Sequence, residues 1–273
     1  MLLNRDGFMN FTKMHGLGND FIIFYLKENE KAKLEGIKKN IKLYCDRHFG
    51  IGADGVLILT KTPKADIFMH IFNADGSQAE QCGNALRCVA KFLYEKLNIK
   101  KEILYIETIK GINEVFLHKK EAGLSLVVNM GKPTLFFLRK EFVLAENVFY
   151  ITSVSMGNPH AIVEVTDFTD ILVTYQNLRE DENFLQFFPT GVNIEFANFL
   201  SKKKAFFRVF ERGVGETLSC GSGACAVFFT GYLAEKLENK AQISGLGGSL
   251  YVFKKGENLF LEGDAFFVYE GMF

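Results

Sequence analysis

The chain has 273 residues, and 32 Lys and Arg set against 32 Asp and Glu leave no net charge. That balance argues against a protein built to neutralise phosphates or to sit on an anionic membrane, because both need a basic surplus; nucleic acid is not an expected partner. With 48% hydrophobic residues the chain can bury a large core, and its length admits one large domain or two ordinary ones.

In chain order, residues 1–8 hold Arg5 and Asp6 and no apolar run long enough for a signal-peptide core. Residues 21–26 read as a strand, and Leu34, Ile37, Ile41, Tyr44 and Cys45 are spaced as a helix. Gly50-Ile51-Gly52-Ala53-Asp54-Gly55 satisfies the dinucleotide pattern G-x-G-x-x-G. Its context is reversed, with a helical pattern before it and the strand-like residues 56–59 after, so it is a glycine-rich turn. After Cys82, the residues Ala85, Leu86, Val89, Ala90 and Leu93 form one helical face, followed by strands at 104–108 and 124–128. Leu172, Tyr175 and Leu178 begin another helical pattern, and residues 194–196 and 206–210 are strand-like. After Cys220, the residues Ala224, Val227, Phe228 and Tyr232 mark a second helix of this kind, and residues 250–253 a last strand. Glycines and hydroxyls dilute residues 217–234 too much for a membrane span, so the expectation is a cytoplasmic α+β protein with no membrane partner.

Compared with itself, the chain returns one shift. Gly18-Asn19 recurs as Gly157-Asn158 (158 − 19 = 139), and Gly52-Ala53-Asp54 as Gly191-Val192-Asn193 (191 − 52 = 139). Cys82-Gly83-Asn84 recurs as Cys220-Gly221-Ser222 (220 − 82 = 138). Such a shift, near half the chain length, is too long for a solenoid and indicates two duplicated, pseudo-symmetric domains.

Five cysteines, odd in number and outside a secretory context, read as reduced thiols. No C-x-x-C exists, and helical spacing turns Cys82 and Cys88 about 240° apart and Cys220 and Cys225 about 140° apart. Neither pair can share a metal locally, and no metal is expected. Cys45, Cys88 and Cys225 suit core packing. Cys82 and Cys220 each stand where a helix begins, followed by small residues. Helix-start N–H groups attract negative charge, which predicts a lowered thiol pKa and a place for a substrate carboxylate. In a duplicated molecule the two thiols would enter a shared cleft from opposite sides. One acid–base group per face is what inversion at carbon requires. The alternatives are two packing residues at helix starts, a thiol redox protein and a non-catalytic amino-acid binder.

The segments Met14-His15-Gly16-Leu17-Gly18-Asn19-Asp20-Phe21, Asn73-Ala74-Asp75-Gly76-Ser77 and Met156-Gly157-Asn158-Pro159-His160 stand with Glu211-Arg212-Gly213 and the two cysteine motifs. Together, from about Met9 to the C-terminus, they resemble the diaminopimelate epimerase family. The resemblance implies cofactor-independent conversion of L,L-2,6-diaminopimelate to the meso form, in lysine and peptidoglycan synthesis. It implies two domains, each a barrel-like sheet around a central helix, with a cleft between them: residues 1–130 with 264–273, and residues 131–263. Carried over by motif, Cys82 and Cys220 alternate as base and acid, and His160 and Glu211 assist them. Asn19, Asn73, Gly83, Asn84, Asn158, Asn193, Glu211, Arg212, Gly221 and Ser222 match substrate-binding positions. Tyr269 matches a position tied to dimer packing, so a homodimer is expected. A racemase of the same fold acting on proline or histidine would share the cysteine pair. One departure is Gly55, where some members carry Gln; a side-chain contact to substrate is lost there.

Overall fold

The computed structural model describes residues 9–30, 32–121, 123–144 and 147–273. The eight residues before Met9, which have no assigned function, lie outside it. Two compact units divide the chain: the described residues up to Val128 with Asp264–Phe273, and Asn129–Gly263.

Unit 1 runs β1 (Asn10–Gly16), β2 (Asn19–Leu26), α1 (Lys33–Lys39), α2 (Ile41–Cys45), β3 (Gly55–Thr60), β4 (Ile67–Asn73) and β5 (Gln78–Ala79). It continues with α3 (Gly83–Glu95), β6 (Ile103–Thr108), β7 (Gly111–Lys120) and β8 (Gly123–Gly131), in which the boundary falls. Unit 2 runs β9 (Thr134–Leu144), β10 (Asn147–Ser155), β11 (Pro159–Glu164), α4 (Ile171–Glu180), α5 (Glu182–Phe187), β12 (Asn193–Ser201) and β13 (Lys204–Glu211). Then come β14 (Gly215–Thr217), α6 (Gly221–Leu233), β15 (Lys240–Gly245), β16 (Gly248–Lys255) and β17 (Asn258–Gly263), and β18 (Phe266–Met272) returns to unit 1.

Hydrogen-bonded order in unit 1 is β18-β1-β2-β3-β4-β6-β7-β8, with β5 added to β4. Unit 2 repeats it as β9-β10-β11-β12-β13-β15-β16-β17, with β14 added to β13. In both, two neighbouring pairs are parallel: β2 with β3 and β4 with β6, then β11 with β12 and β13 with β15. Parallel neighbours need a crossover, and the helices supply it. The repeat seen in the sequence is therefore a repeat of topology. Gly52 and Gly191 hold the same left-handed φ of +80° before β3 and β12, a conformation that suits glycine.

The crossover helices divide into two layers. Alternation along β2 and β3 sends Ile22, Phe24, Val56 and Ile58 to a core with Ile37, Ile41 and Tyr44 of α1 and α2. In unit 2, Ala161, Val163, Ile194 and Phe196 meet Ile171, Leu178 and Phe184 of α4 and α5 in the same way. The opposite strand faces point to the longer helices α3 and α6. Helix α6 is apolar all round, with Ala224 to Phe228 fully buried, as a helix enclosed by strands must be. It touches β10 to β13 and β15 to β17. Cysteines 45, 88 and 225 are buried as packing residues.

Gly231 shows how closely α6 is enclosed: an added Cβ would fall 2.5 Å from Phe199 and 2.7 Å from Leu237. Overpacking costs about 1–3 kcal/mol, whereas Ala gains at most about 1 kcal/mol over Gly in helix propensity. We expect Gly231→Ala to lose about 1–2 kcal/mol in urea denaturation; unchanged stability would show α6 to be loosely held.

Candidate active site

Each central helix opens on a cysteine in extended conformation, Cys82 at φ −150° and ψ 118° before α3, and Cys220 at φ −124° and ψ 115° before α6. Extended backbone at the N-cap is what lets a side chain fold back over the first turn.

Around Cys82, two amides are pinned from both ends by ionic residues. The Arg87 guanidinium, wholly buried, donates to Asn84 Oδ1 at 2.7 Å. That leaves Asn84 Nδ2 to donate to Asn19 Oδ1 at 3.1 Å, and Asn19 Nδ2 donates to Asp54 Oδ2 at 3.0 Å. Arg87 can only donate and an ionised Asp54 can only accept, so the orientation of both amides follows. The Cys82 thiol donates to Asn19 Oδ1 at 3.7 Å. Behind them, Asp20 takes a two-pronged pair from Arg47 at 2.9 and 3.1 Å and an ion pair from Lys13 at 2.8 Å. Lys13 also donates to the Gly52 carbonyl. Burial alone would raise Asp20, but the bonds from Arg47, Lys13 and the Asp54 N–H outweigh it and hold the carboxyl at about 2.

Around Cys220 the partners are different. Its sulfur accepts from the Gly223 N–H at 3.3 Å and lies 3.4 Å from the Ser222 hydroxyl. His160 and Glu195 are both fully buried, with Nδ1 2.7 Å from Glu195 Oε1; Nε2 lies 3.1 Å from Asn158 Oδ1. Thr217 donates to Glu211 at 2.6 Å. Burial, and then the neighbouring Glu195, raise the Glu211 carboxyl above the usual range, against the Thr217 bond that lowers it.

The expected lowering of the thiol pKa does not hold at Cys220. Burial, then the charges of Glu211 and Glu195, push it well above the usual thiol value, and the Ser222 and Gly223 bonds do not offset them. The helix-start N–H group is present, but a thiolate there would add a third anionic group to an enclosed carboxylate pair. Burial is the main cause that holds Cys45 at about 11 and Cys88 at about 12.

The remaining candidate residues fall into place unevenly. Asn193 is buried and its Oδ1 accepts from the Arg212 N–H at 2.8 Å, while the Arg212 side chain donates to the Thr190 carbonyl at 3.0 Å. Gly83 and Gly221 are the first residues of α3 and α6. Asn73 donates to Ser77 at 2.9 Å in the turn after β4, as a turn asparagine does. Tyr269 donates to the Ile51 carbonyl at 3.2 Å. At Gly55 a Cβ would lie 2.5 Å from the Phe72 carbonyl oxygen, so this backbone as it stands has no room for a longer residue.

Sequence reasoning missed Arg87, Asp20, Arg47 and Glu195. Glu195 left one signal, a lone carboxylate in the run Asn193-Ile194-Glu195-Phe196-Ala197. Arg87 left only a charge inside an apolar helical face.

Asp20 yields a test by acid. A carboxyl held low when folded contributes stability above its unfolded value near 3.8 and loses it as pH falls through about 2. Arg47→Met returns Asp20 toward 3.8. We expect the acid-unfolding midpoint, followed by circular dichroism, to rise by about 0.5–1 pH unit; an unmoved midpoint would show that Lys13 alone suffices.

Comparison with known proteins places the chain in a family. The diaminopimelate epimerase family's model matches residues 11–136 and 152–268. Among curated relatives, the diaminopimelate epimerase of Pelotomaculum thermopropionicum is 40% identical, with 96% of this chain and 98% of the relative aligned. That of Brachyspira hyodysenteriae is 36% identical over the same shares, and one from Methanococcus maripaludis is 38% identical, with 96% and 99% aligned. Among solved structures, a hydroxyproline epimerase from Agrobacterium vitis superposes with a TM-score of 0.73 at 13% identity, covering 99% of this chain and 93% of that one. A Bacillus anthracis phenazine biosynthesis protein of the PhzF family gives 0.71 at 18% identity, covering 98% and 99%. These two share the fold; the sequence matches, which span nearly the whole chain, show that it belongs to the diaminopimelate epimerase family.

Proposed function

We propose that the protein is a diaminopimelate epimerase that interconverts L,L-2,6-diaminopimelate and the meso isomer with two cysteines and no cofactor. The observation that carries this reading is the placement of Cys82 and Cys220, in a member of this family, as N-caps of the two central helices of a repeated topology. Each has its own polar partners, and no other cysteine begins a helix.

Inversion at the α-carbon needs a base on one face and an acid on the other. The thiolate of one cysteine takes the α-proton while the C–H electron pair stays on carbon; the other cysteine's thiol delivers a proton to the opposite face. After one turnover the thiol and thiolate have exchanged places, and the reverse reaction uses them in opposite roles. N–H groups at the starts of α3 and α6 stabilise charge that spreads into the substrate carboxylate. Asn19 and Asn84 beside Cys82, and Asn158, Asn193 and Arg212 in unit 2, suit a zwitterionic amino acid, since amides both donate and accept and Arg grips a carboxylate with two bonds. Asn73, Gly83, Gly221 and Ser222 belong to the same binding set.

Cys220 is the thiol in the arrangement described, because burial and two carboxylates disfavour its anion. Each cysteine serves as the acid in one direction of the reaction and as the base in the other. The same reading includes a place in lysine and peptidoglycan synthesis, a cytoplasmic setting and a homodimer. No helix among the described residues is long and apolar enough to cross a membrane. Strand β18 exposes Phe266, Val268 and Tyr269, a surface suited to a second copy.

Incubation of reduced protein with L,L-diaminopimelate in D₂O, without added cofactor, should give α-deuterated meso product. Cys82→Ala and Cys220→Ala should each lower kcat by about 10²–10⁴-fold, the usual worth of a positioned acid or base. Absence of exchange in the reduced wild type, or full activity in either variant, would overturn the two-thiol mechanism.

A further inference from the structure

Strand β14 is three residues long, and its last residue, Thr217, stands opposite Val209 of β13, with Glu216 opposite Phe210 and Gly215 opposite Glu211. Alternation puts Val209, Glu211 and Thr217 on one face of this pair, and Arg208, Phe210 and Glu216 on the other. On the first face the Thr217 hydroxyl donates to Glu211 Oε1 at 2.6 Å, the short length of a bond to an ionised oxygen. On the second, Arg208 grips Glu216 with two bonds, at 2.5 and 2.9 Å. That cross-strand pair holds β14 in register, and with it the hydroxyl against the carboxylate.

The fold itself demands neither group. In unit 1, β5 pairs with β4 in the same way, Ala79 opposite Ile71 and Gln78 opposite Phe72. Ala79 therefore holds the place of Thr217, three residues before the cysteine that caps the central helix, and Asn73 holds that of Glu211. Asn73 turns to Ser77 instead. A methyl group at this position serves the short strand of unit 1, so the strand does not account for the hydroxyl in unit 2. Hydroxyl and carboxylate occur together in one unit and are replaced together in the other.

We propose that Thr217 is a positioning residue, whose hydroxyl holds Oε1 of Glu211 and so keeps the other carboxylate oxygen for the Cys220 thiol. The terminal torsion of a glutamate is soft, and one oxygen held in place fixes where the second one stands. Burial raises the affinity of Glu211 for a proton, and the Thr217 bond is the largest of the effects that oppose it. Of the titratable groups that act on Glu211, Glu195 on β12 also raises that affinity, while Cys220 at the start of α6 and His160 on β11 lower it. Thr217 therefore favours the ionised carboxylate, the form that can accept a proton from the thiol. The kinetic consequence rests on the epimerase reading. When Cys220 acts as the base, its proton passes to Glu211, the sulfur keeps the S–H electron pair, and the thiolate takes the α-proton.

The state of Glu211 can be read without turnover. In protein labelled with ¹³C at the glutamate side-chain carboxyls, the Glu211 signal is the one lost in Glu211→Gln. Thr217→Val, which keeps the branched shape and removes the hydroxyl, should raise the titration midpoint of that signal by about one pH unit, a tenfold change in acidity. Thr217→Ala, which copies unit 1, should do the same, and Thr217→Ser should leave the midpoint near that of the wild type. A midpoint unmoved in both the Val and Ala variants, or moved as far in Thr217→Ser, overturns the proposal. In turnover, the acid limb of kcat should rise with the midpoint, so that Thr217→Val loses about tenfold below the limb and little above it. KM should change less than kcat, because Thr217 acts through Glu211. A loss of equal size at every pH, or one confined to KM, would make the hydroxyl structural and overturn the positioning role. If Glu211 titrates as stated while the wild type does not turn over diaminopimelate, the substrate assignment fails and the hold of Thr217 on Glu211 stands.

Discussion

Two parallel strands cannot be joined by a tight turn, so β4 must reach β6, and β13 must reach β15, through a crossover. In this protein each of those crossovers is a buried helix whose N-cap is a cysteine. That single constraint fixes a sulfur beside the first N–H groups of a helix and beside the face of the parallel pair that packs on it. Whatever the strands present on that face becomes the sulfur's environment. The backbone repeats, and the chemistry is written in the few side chains that alternate toward the helix.

The two units write it differently. Around Cys82 the amides of Asn19 and Asn84 form a chain closed at both ends by fixed charges, and the neighbouring strand positions hold Phe21 and Leu57. Around Cys220 the same positions hold His160 and Glu195, and Glu211 closes the group from the next strand. Unit 1 therefore presents a rigid acceptor to its thiol. Unit 2 surrounds its thiol with titratable side chains. A duplicated fold repeats the place of the cysteine, and what departs from symmetry is the set of side chains around it.

Much of this was legible in the sequence because duplication and helix periodicity leave regular traces. The shift of 139 residues between Gly52 and Gly191 reappears as two turns with the same φ, and the apolar faces after Cys82 and Cys220 become α3 and α6. Other strands left less: β9 and β10 alternate weakly, with Phe136, Val143 and Val148 exposed, and β4 carries His70 within its apolar run. Arg87 stood in the sequence only as a charge within an apolar helical face, and one of its bonds goes to a carbonyl of Asp264, far away in sequence. The helix-start rule predicted the direction of the Cys220 shift wrongly for a physical reason. A helix terminus acts over one turn with fractional charge, whereas enclosure beside two carboxylates acts with whole charges in a medium that screens them poorly.

That reversal bears on how a catalytic thiol is recognised. Cys45 and Cys88 are also raised by burial, so a high pKa does not separate a reactive cysteine from a packing one. The separating property is the proton's alternative home. Cys88 stands on an enclosed helix face, and a proton leaving it would find no carboxylate among the groups that set its pKa. Beside Cys220, by contrast, Glu211 has its own affinity for protons raised by the same burial. A buried thiol beside a titratable carboxyl has a neighbour that can take its proton; one among hydrocarbon has none.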